Sequence, residues 1–287
     1  MLTSELKDDL REIDELADLI ANTDPAAAEE VRTAGRRAVM LEHEGDEYEA
    51  GEQYLRMVDP ARGSVPVYRY AALKLIDMER CGDALELADE VAQLNGRDPE
   101  AYRTLGEICE GTGAYAMAAL AYREALEFGA ERYADLRLRL AHMLHNLGRH
   151  ESAAETFREA LAQAPGDFAD HLTLGHSLFK LRLHGAAAEA YGRAAGLNPD
   201  SAEAHASLGL AHAEAGSSAE AVRSLHRCLE LGGHYDGKMH GALGRAFFTL
   251  GMCEDAAAAY EEGLRRSGCQ HCREGLARAR EAAGSRQ

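Results

Sequence analysis

Residues 168–199, FADHLTLGHSLFKLRLHGAAAEAYGRAAGLNP, decide the fold, because this pattern recurs along the chain at a nearly fixed period. Leu174, Gly175 and Leu178 fall one helical turn apart in its first half, and Ala187, Tyr191 and Ala194 do so in its second. Such spacings mark amphipathic helices, so the stretch predicts two helices joined by a short turn at His184-Gly185. Alignment on this unit gives starts at Val31, Val65, Pro99, Ala134, Phe168, Ala202 and Gly237, spaced 34 or 35 residues apart. The alanine of the second helix recurs as Ala50, Ala84, Ala118, Ala153, Ala187, Ala221 and Ala256. A small residue of the first helix recurs as Ala38, Ala72, Gly106, Ala141, Gly175, Gly209 and Gly244. Both positions are small for one reason: the two helices of a unit cross there, and a larger side chain would hold them apart. Four residues after the alanine stands a large knob, Tyr54, Tyr122, Phe157, Tyr191, Leu225 or Tyr260, with Ala88 the exception. The knob is expected to fill the gap between neighbouring units.

The period, the Leu-Gly pair of the first helix (Leu105-Gly106, Leu174-Gly175, Leu208-Gly209, Leu243-Gly244), the alanine, the aromatic and the closing Pro165 and Pro199 resemble the tetratricopeptide repeat. The resemblance covers 31–268 and implies an all-α fold, a right-handed α-solenoid of seven helix-turn-helix units read as one elongated body. An N-terminal amphipathic acidic helix and linker precede it at 1–30, and a C-terminal cap helix and tail follow at 269–287. Two departures stand out. The aromatic expected early in the first helix is present as Tyr68 and Tyr102 but becomes His171, His205 and His240, and the first unit has Arg37 where leucine is expected.

A formal charge of −18 without any run of Lys or Arg argues against a nucleic-acid partner, since counterion release needs clustered cations. The beginning, MLTSELKDDLREIDELADLI, interleaves acids with apolar residues, unlike a secretory signal or transit peptide. No stretch approaches the ~18 apolar residues of a membrane span. A cytoplasmic protein is expected, and six unpatterned cysteines suit a reducing compartment. The richness in Ala, Gly and Arg suggests a bacterium with a GC-rich genome.

Leu6, Leu10, Ile13, Ala17 and Ile20 form an apolar seam outside the repeat phase. It reads as a lid over the first unit, with a dimerisation helix or a helix that blocks the groove as alternatives. Helix starts are signalled at Asp24-Pro25, at Asp98, at Asp167 and at Asp200 with Glu203 three residues on. Turns within units carry Gly45, Gly113, Gly148, Gly216 and Gly251. The junction at 59–66 looks loosest and could hinge, and 272–283 reads as a solvating cap helix.

The resemblance implies a concave face lined by the second, fifth, sixth, ninth, twelfth and thirteenth positions of the first helices. These fall opposite the packing Leu and Gly, and they hold eight basic and eight acidic residues, so the face is neutral within an acidic chain. The candidate peptide-binding residues are Arg69, Arg103, Arg139, His142, His145, His176, Phe179, Lys180, Arg245 and Phe248, with Arg103 opposed by Glu100, Glu107 and Glu110. Cations, imidazoles and aromatic faces suit a peptide that carries carboxylates and an apolar anchor, the competing reading being ordinary solvated helix faces. The family's carboxylate-clamp pattern of two Lys, two Asn and an Arg over three successive first helices is absent, which disfavours a co-chaperone role.

His142, His145 and His176 could meet, but no carboxylate joins them at an adjacent groove position except Asp135, two turns away from His142, so neither a metal centre nor a cofactor is expected. Cys269-Gln270-His271-Cys272 looks like half a metal or redox site. Cys253 begins the helix that Cys269 follows, and at ~1.5 Å per residue the two lie ~24 Å apart, too far to share a metal. Isolated thiols are expected, a reversible disulfide being the alternative, while Cys109 and Cys228 read as small core residues. No Ser-His-Asp order, phosphate loop or paired-carboxylate cleft is discernible, so no enzyme is expected. The leading function is a protein-interaction scaffold. One alternative is a bacterial secretion-type chaperone, because His234-Tyr235-Asp236 followed by Leu243-Gly244 resembles a stretch of the small tetratricopeptide chaperones of type III secretion. The other is a self-assembling scaffold, a homo-oligomer formed through residues 6–20.

Overall fold

The structure is a computed structural model that describes residues 3–129, 134–233, 237–267 and 270–284. These residues form sixteen α-helices and no strand. The helix α1 (Ser4–Ala21) comes first. Fourteen helices follow in chain order, two to each sequence repeat: α2 (Pro25–Glu44) and α3 (Glu47–Val58), α4 (Val65–Asp77) and α5 (Cys81–Asn95), α6 (Pro99–Gly111) and α7 (Tyr115–Glu127), α8 (Ala134–Asn146) and α9 (His150–Leu161), α10 (Phe168–Lys180) and α11 (His184–Leu197), α12 (Ala202–Ala215) and α13 (Ser218–Glu230), and α14 (Gly237–Thr249) and α15 (Cys253–Ser267). The last helix is α16 (Gln270–Gly284). The fold is that of a tetratricopeptide-type helical repeat, and six of the seven repeat starts coincide with helix starts. In the first repeat α2 begins earlier than Val31, at Pro25, where Asp24 accepts the Ala27 N–H.

The chain divides into two compact units, Met1–Leu147 and Gly148–Gln287. The division falls between the two helices of the fourth repeat, where the period carries no mark. In the first unit, α1 lays Leu6, Ile13, Leu16 and Ala17 on α2, and a Cβ at Gly35 would stand 2.7 Å from the Ile13 side chain. The seam is therefore used up inside the chain. A homo-oligomer through residues 6–20 would have to use the opposite face, which carries Glu5, Asp8, Glu12, Glu15 and Leu19. In the second unit, α16 packs on both α14 and α15, the neighbours that a following repeat's first helix would have. It buries Cys272 and Ala279 there.

All seven second-helix alanines are fully buried. The knob lies against the small residue of its own repeat: a Cβ at Gly175 would come within 2.5 Å of the Tyr191 ring, and one at Gly209 within 2.6 Å of Leu225. It also reaches onward, as where Tyr54 meets Tyr70 edge to face at 6.0 Å. The knob thus fills the crossing within its repeat as well as the gap beyond it.

Three local expectations are corrected. The turn of the organising repeat is at 181–183, where Arg182 has φ +61°, and His184 opens α11. The N-cap of α12 is Ser201, whose hydroxyl accepts the Ala204 N–H, while Asp200 pairs with Arg227 at 3.2 Å. The junction after α3 is pinned: Ala61 is buried, and the Asn95 amide donates to the carbonyls of Gly63 (3.1 Å) and Val91 (2.8 Å). The bond to Gly63 ties the end of α5 to this turn.

Candidate functional site

In the first unit, the first-helix face is closed by its own charges. Glu107 forms an ion pair with Arg69 Nε at 2.8 Å and accepts from Arg103 Nη1 at 2.9 Å, and its side chain is only 8% exposed. Burying a carboxylate is costly unless it is paired, and here two guanidiniums from successive repeats share it. Glu100 takes a further bond from Arg103. Glu42 accepts the Tyr54 hydroxyl at 2.6 Å and Lys74 Nζ at 3.0 Å. Glu110 accepts the Tyr122 hydroxyl at 2.5 Å and Arg139 Nη1 at 3.2 Å, and Arg139 also bonds Asp135 at 3.3 Å. Burial and the facing carboxylate push both tyrosine hydroxyls above their ordinary range, so they stay protonated donors. Of the candidate residues here, Arg69, Arg103 and Arg139 are thus committed to internal ion pairs. His142 and His145 are half-buried on α8.

The second unit places different chemistry at the same positions. Glu42 and Glu110 stand twelve residues before their tyrosines. The residues twelve before Tyr191 and Tyr260 are Phe179 and Phe248. Phe179 is half-buried and rests edge-on against His184 at 4.9 Å, and Phe248 is 37% exposed. His176 stands edge-on to Tyr191 at 5.3 Å. Burial lowers its pKa, Glu203 opposes that and Lys180 adds to it. Lys180 is exposed, and Arg245 forms an ion pair with Glu214 of the preceding repeat. A cavity of ≈120 Å³ opens beside Arg245, lined by Phe248, Tyr260, His271, Glu274, Gly275 and Arg278. The sequence singles out His271 only beside Cys269 and Cys272, and it offers Glu274 and Arg278 only as part of a solvating cap helix, although the arginine spacing of α16 is their signal.

Two of the three histidines that replace early aromatics, His171 and His205, act as latches, whereas Nε2 of His240 is buried without a hydrogen-bond partner. Nε2 of His171 donates to the Pro165 carbonyl at 3.0 Å, and Nε2 of His205 to the Pro199 carbonyl at 2.9 Å, tying each inter-repeat loop to the helix that follows. A carbonyl can only accept, so the proton sits on Nε2 in both. His142 and His145 belong to the first unit and His176 to the second, and among the described residues no group of three or more His, Cys, Asp or Glu could hold a metal. Cys109 and Cys228 are fully buried, as is Cys272, whose Sγ lies 3.7 Å from the Gly237 carbonyl oxygen. Cys269 and the stretch His234-Tyr235-Asp236 lie outside the described residues. Among the described residues no helix is long and apolar enough to cross a membrane.

A family model described as tetratricopeptide repeat matches residues 71–132, 126–168 and 172–227. Curated protein sequences yield no match. Similar solved structures include the C-terminal part of a TPR repeat-containing protein from Cytophaga hutchinsonii, with a TM-score of 0.60 at 16% identity, covering 84% of this chain and 98% of that one. MamA from Desulfovibrio magneticus RS-1 superposes with a TM-score of 0.53 at 20% identity over 58% of this chain and 94% of its own. YrrB, described as a TPR protein with an unusual peptide-binding site, gives 0.53 at 19% identity over 63% of this chain and 93% of its own.

Proposed function

The chain belongs to the tetratricopeptide repeat family, and from that premise we propose that it is a non-catalytic scaffold that holds a peptide segment of a partner protein along its first-helix face. The observation that carries this reading is the exchange at the twelfth helix position. Glu42 and Glu110 satisfy their neighbours internally, whereas Phe179 and Phe248 leave apolar rings accessible beside His176, Lys180 and Arg245. Exposed aromatics flanked by cations anchor an apolar side chain and attract carboxylates. The description of YrrB as a peptide-binding repeat protein supports the reading by analogy of fold. The partner is a protein segment with acidic and apolar residues, met in the cytoplasm, and a nucleic acid is disfavoured by the charge of −18.

A photo-crosslinking amino acid in place of Phe179 and, separately, of Phe248 identifies the segment that touches this face. Calorimetry with that segment then reads Phe179→Ala and Phe248→Ala, each expected to weaken binding by about tenfold or more, the loss of one apolar anchor of ~1.5–3 kcal/mol. Met117→Ala on the exposed face of α7 serves as the control that leaves affinity unchanged. Crosslinks absent from both positions, or equal affinity in all three variants, would sink the reading.

A further inference from the structure

Twice in the first unit, a knob tyrosine, a carboxylate and a cation of the next repeat form a closed group: Tyr54, Glu42 and Lys74, then Tyr122, Glu110 and Arg139. In the seventh repeat two of the three members remain. Tyr260 is the knob, and α16 stands where the next repeat's first helix would be and supplies Arg278. The carboxylate position is filled by Phe248. Tyr260 feels the positive charge of both Arg245 and Arg278, and among the described residues no carboxylate accepts its hydroxyl. The Nε of Arg245 is buried without a hydrogen-bond partner, while its Nη2 bonds Glu214. Arg245, Phe248, Tyr260 and Arg278 line the ≈120 Å³ cavity together with Gly275, where a Cβ would collide with the Tyr260 ring.

We propose that this cavity is a binding site for a carboxylate side chain, an aspartate or glutamate within the partner's segment, which takes the place that Glu42 and Glu110 fill in the first unit. The inference rests on the peptide-holding function above and names the chemistry of one contact. The volume fits one side chain, at ~30 Å³ per displaced water, and falls well short of the ~300 Å³ of a small-molecule pocket. Tyr260 and the buried Arg245 Nε are donors without an acceptor, and such groups in a partly desolvated cleft favour an anion over a neutral amide. Glu214 and Glu274 offset part of the positive charge, which suits a monoanion rather than a phosphate. Phe248 forms the apolar wall for the residue next to the acid.

The test uses the full chain labelled with ¹³C on its tyrosine rings and three capped tripeptide probes: N-acetyl-Leu-Glu-Leu-amide, its Gln counterpart, and N-acetyl-Leu-Gln-Leu with a free terminal carboxylate. The Glu probe is expected to shift the Tyr260 resonance, with affinity about tenfold above that of the Gln probe, the worth of a charge-assisted bond. Arg278→Gln is expected to erase most of that preference. Phe248→Glu rebuilds the internal group and is expected to abolish Glu-probe binding while raising the melting temperature. Equal affinity for the Glu and Gln probes, no Tyr260 shift with any probe, or a free-acid probe that outbinds the Glu probe overturns the proposal. A probe that shifts Tyr191 and leaves Tyr260 unmoved keeps the peptide-holding reading and removes this site alone.

Discussion

The two units use one backbone pattern for opposite purposes at their first-helix faces. From Met1 to Leu147 the face is paired by its own carboxylates: Glu42, Glu107 and Glu110 each gather cationic or hydroxyl partners from two repeats. From Gly148 to Gln287 the twelfth position turns aromatic at Phe179 and Phe248, and among the described residues no carboxylate accepts the Tyr260 hydroxyl. Underneath, the crossings are alike, with Ala118 and Ala187 equally buried and knob tyrosines on Gly106 and Gly175. A repeat scaffold therefore separates two kinds of position. The crossing residues are held to a narrow size range by packing, and the face residues are free to differ.

The strongest way to break this comparison is at the crossings. Ala118→Leu in the first unit and Ala187→Leu in the second force extra methylenes into fully buried sites, each expected to cost about 1–3 kcal/mol in urea titrations. Similar losses are expected, since the geometry is shared. If either melt is unchanged, the register of that repeat is wrong. Comparable in size is Glu107→Gln, which leaves Arg69 and Arg103 with a neutral partner at a site only 8% exposed. The expected loss is ~1.5–3 kcal/mol, because the bonds removed are charge-assisted. Phe179→Ala, being partly exposed already, is expected to cost less stability than Glu107→Gln while costing affinity. The reverse order would mean that the second face is structural and the first is the binding surface.

Much of this was legible in the sequence and some was not, for physical reasons. The alternation of Ala38, Ala50 and their equivalents with the knobs reports a steric requirement that repeats whenever the helices cross, so seven pairs could be read from one chain. The pairing of Tyr54 with Glu42 lies at a spacing of twelve, across a turn, where no helical periodicity points; only the repeat frame makes it comparable with Phe248 and Tyr260. Arginines in α16 look the same in sequence whether they face solvent or a cavity, and Arg278 was assigned to solvent for that reason. His171 and His205 looked like lost aromatics and are loop latches. Glycine is the usual signature of such a turn, and because Arg182 adopts the positive φ instead, the sequence points to Gly185 and not to 181–183.

Acid should distinguish the units as well. Burial lowers the pKa of three histidines of the second unit: His176, facing Glu203 and Lys180; His212, facing Glu220 and Arg223; and His240, facing Arg266, Glu262 and Arg265. A histidine whose folded pKa lies below the unfolded value of ~6.5 is protonated first in the unfolded chain, so stability is lost as pH falls through and below ~6.5. Hydrogen exchange, corrected for its intrinsic pH dependence, is expected to show α10, α12 and α14 losing protection between about pH 7.5 and about pH 5.5, a range that brackets that value. Replacing the three histidines with Gln should flatten the change. The same depression places any acid-enhanced binding through His176 below ~6.5. Protection in these helices that is insensitive to pH would remove the histidines from both accounts.

The smallest effect expected is at the turns, where the units should again agree. The residue after each first helix that turns the chain has positive φ in all seven repeats: Gly45, Glu79, Gly113, Gly148, Arg182, Gly216 and Gly251. Five are glycine, for which this conformation carries no Cβ penalty, while Glu79 at +59° and Arg182 at +61° bear a cost of ~1–2 kcal/mol. Glycine would relieve that cost and add back ~0.5–1 kcal/mol of unfolded-chain entropy, which leaves a net gain of a few tenths to about 1 kcal/mol. Glu79→Gly and Arg182→Gly are therefore each expected to raise the urea midpoint slightly, by comparable amounts in the two units and with an unchanged slope. The contrast with alanine sharpens the reading, because Glu79→Ala and Arg182→Ala keep the Cβ and should bring no such gain. If glycine destabilises at Arg182 but not at Glu79, the side chain at 182 contributes an interaction of its own, and the second unit differs from the first in its turns as well as at its face.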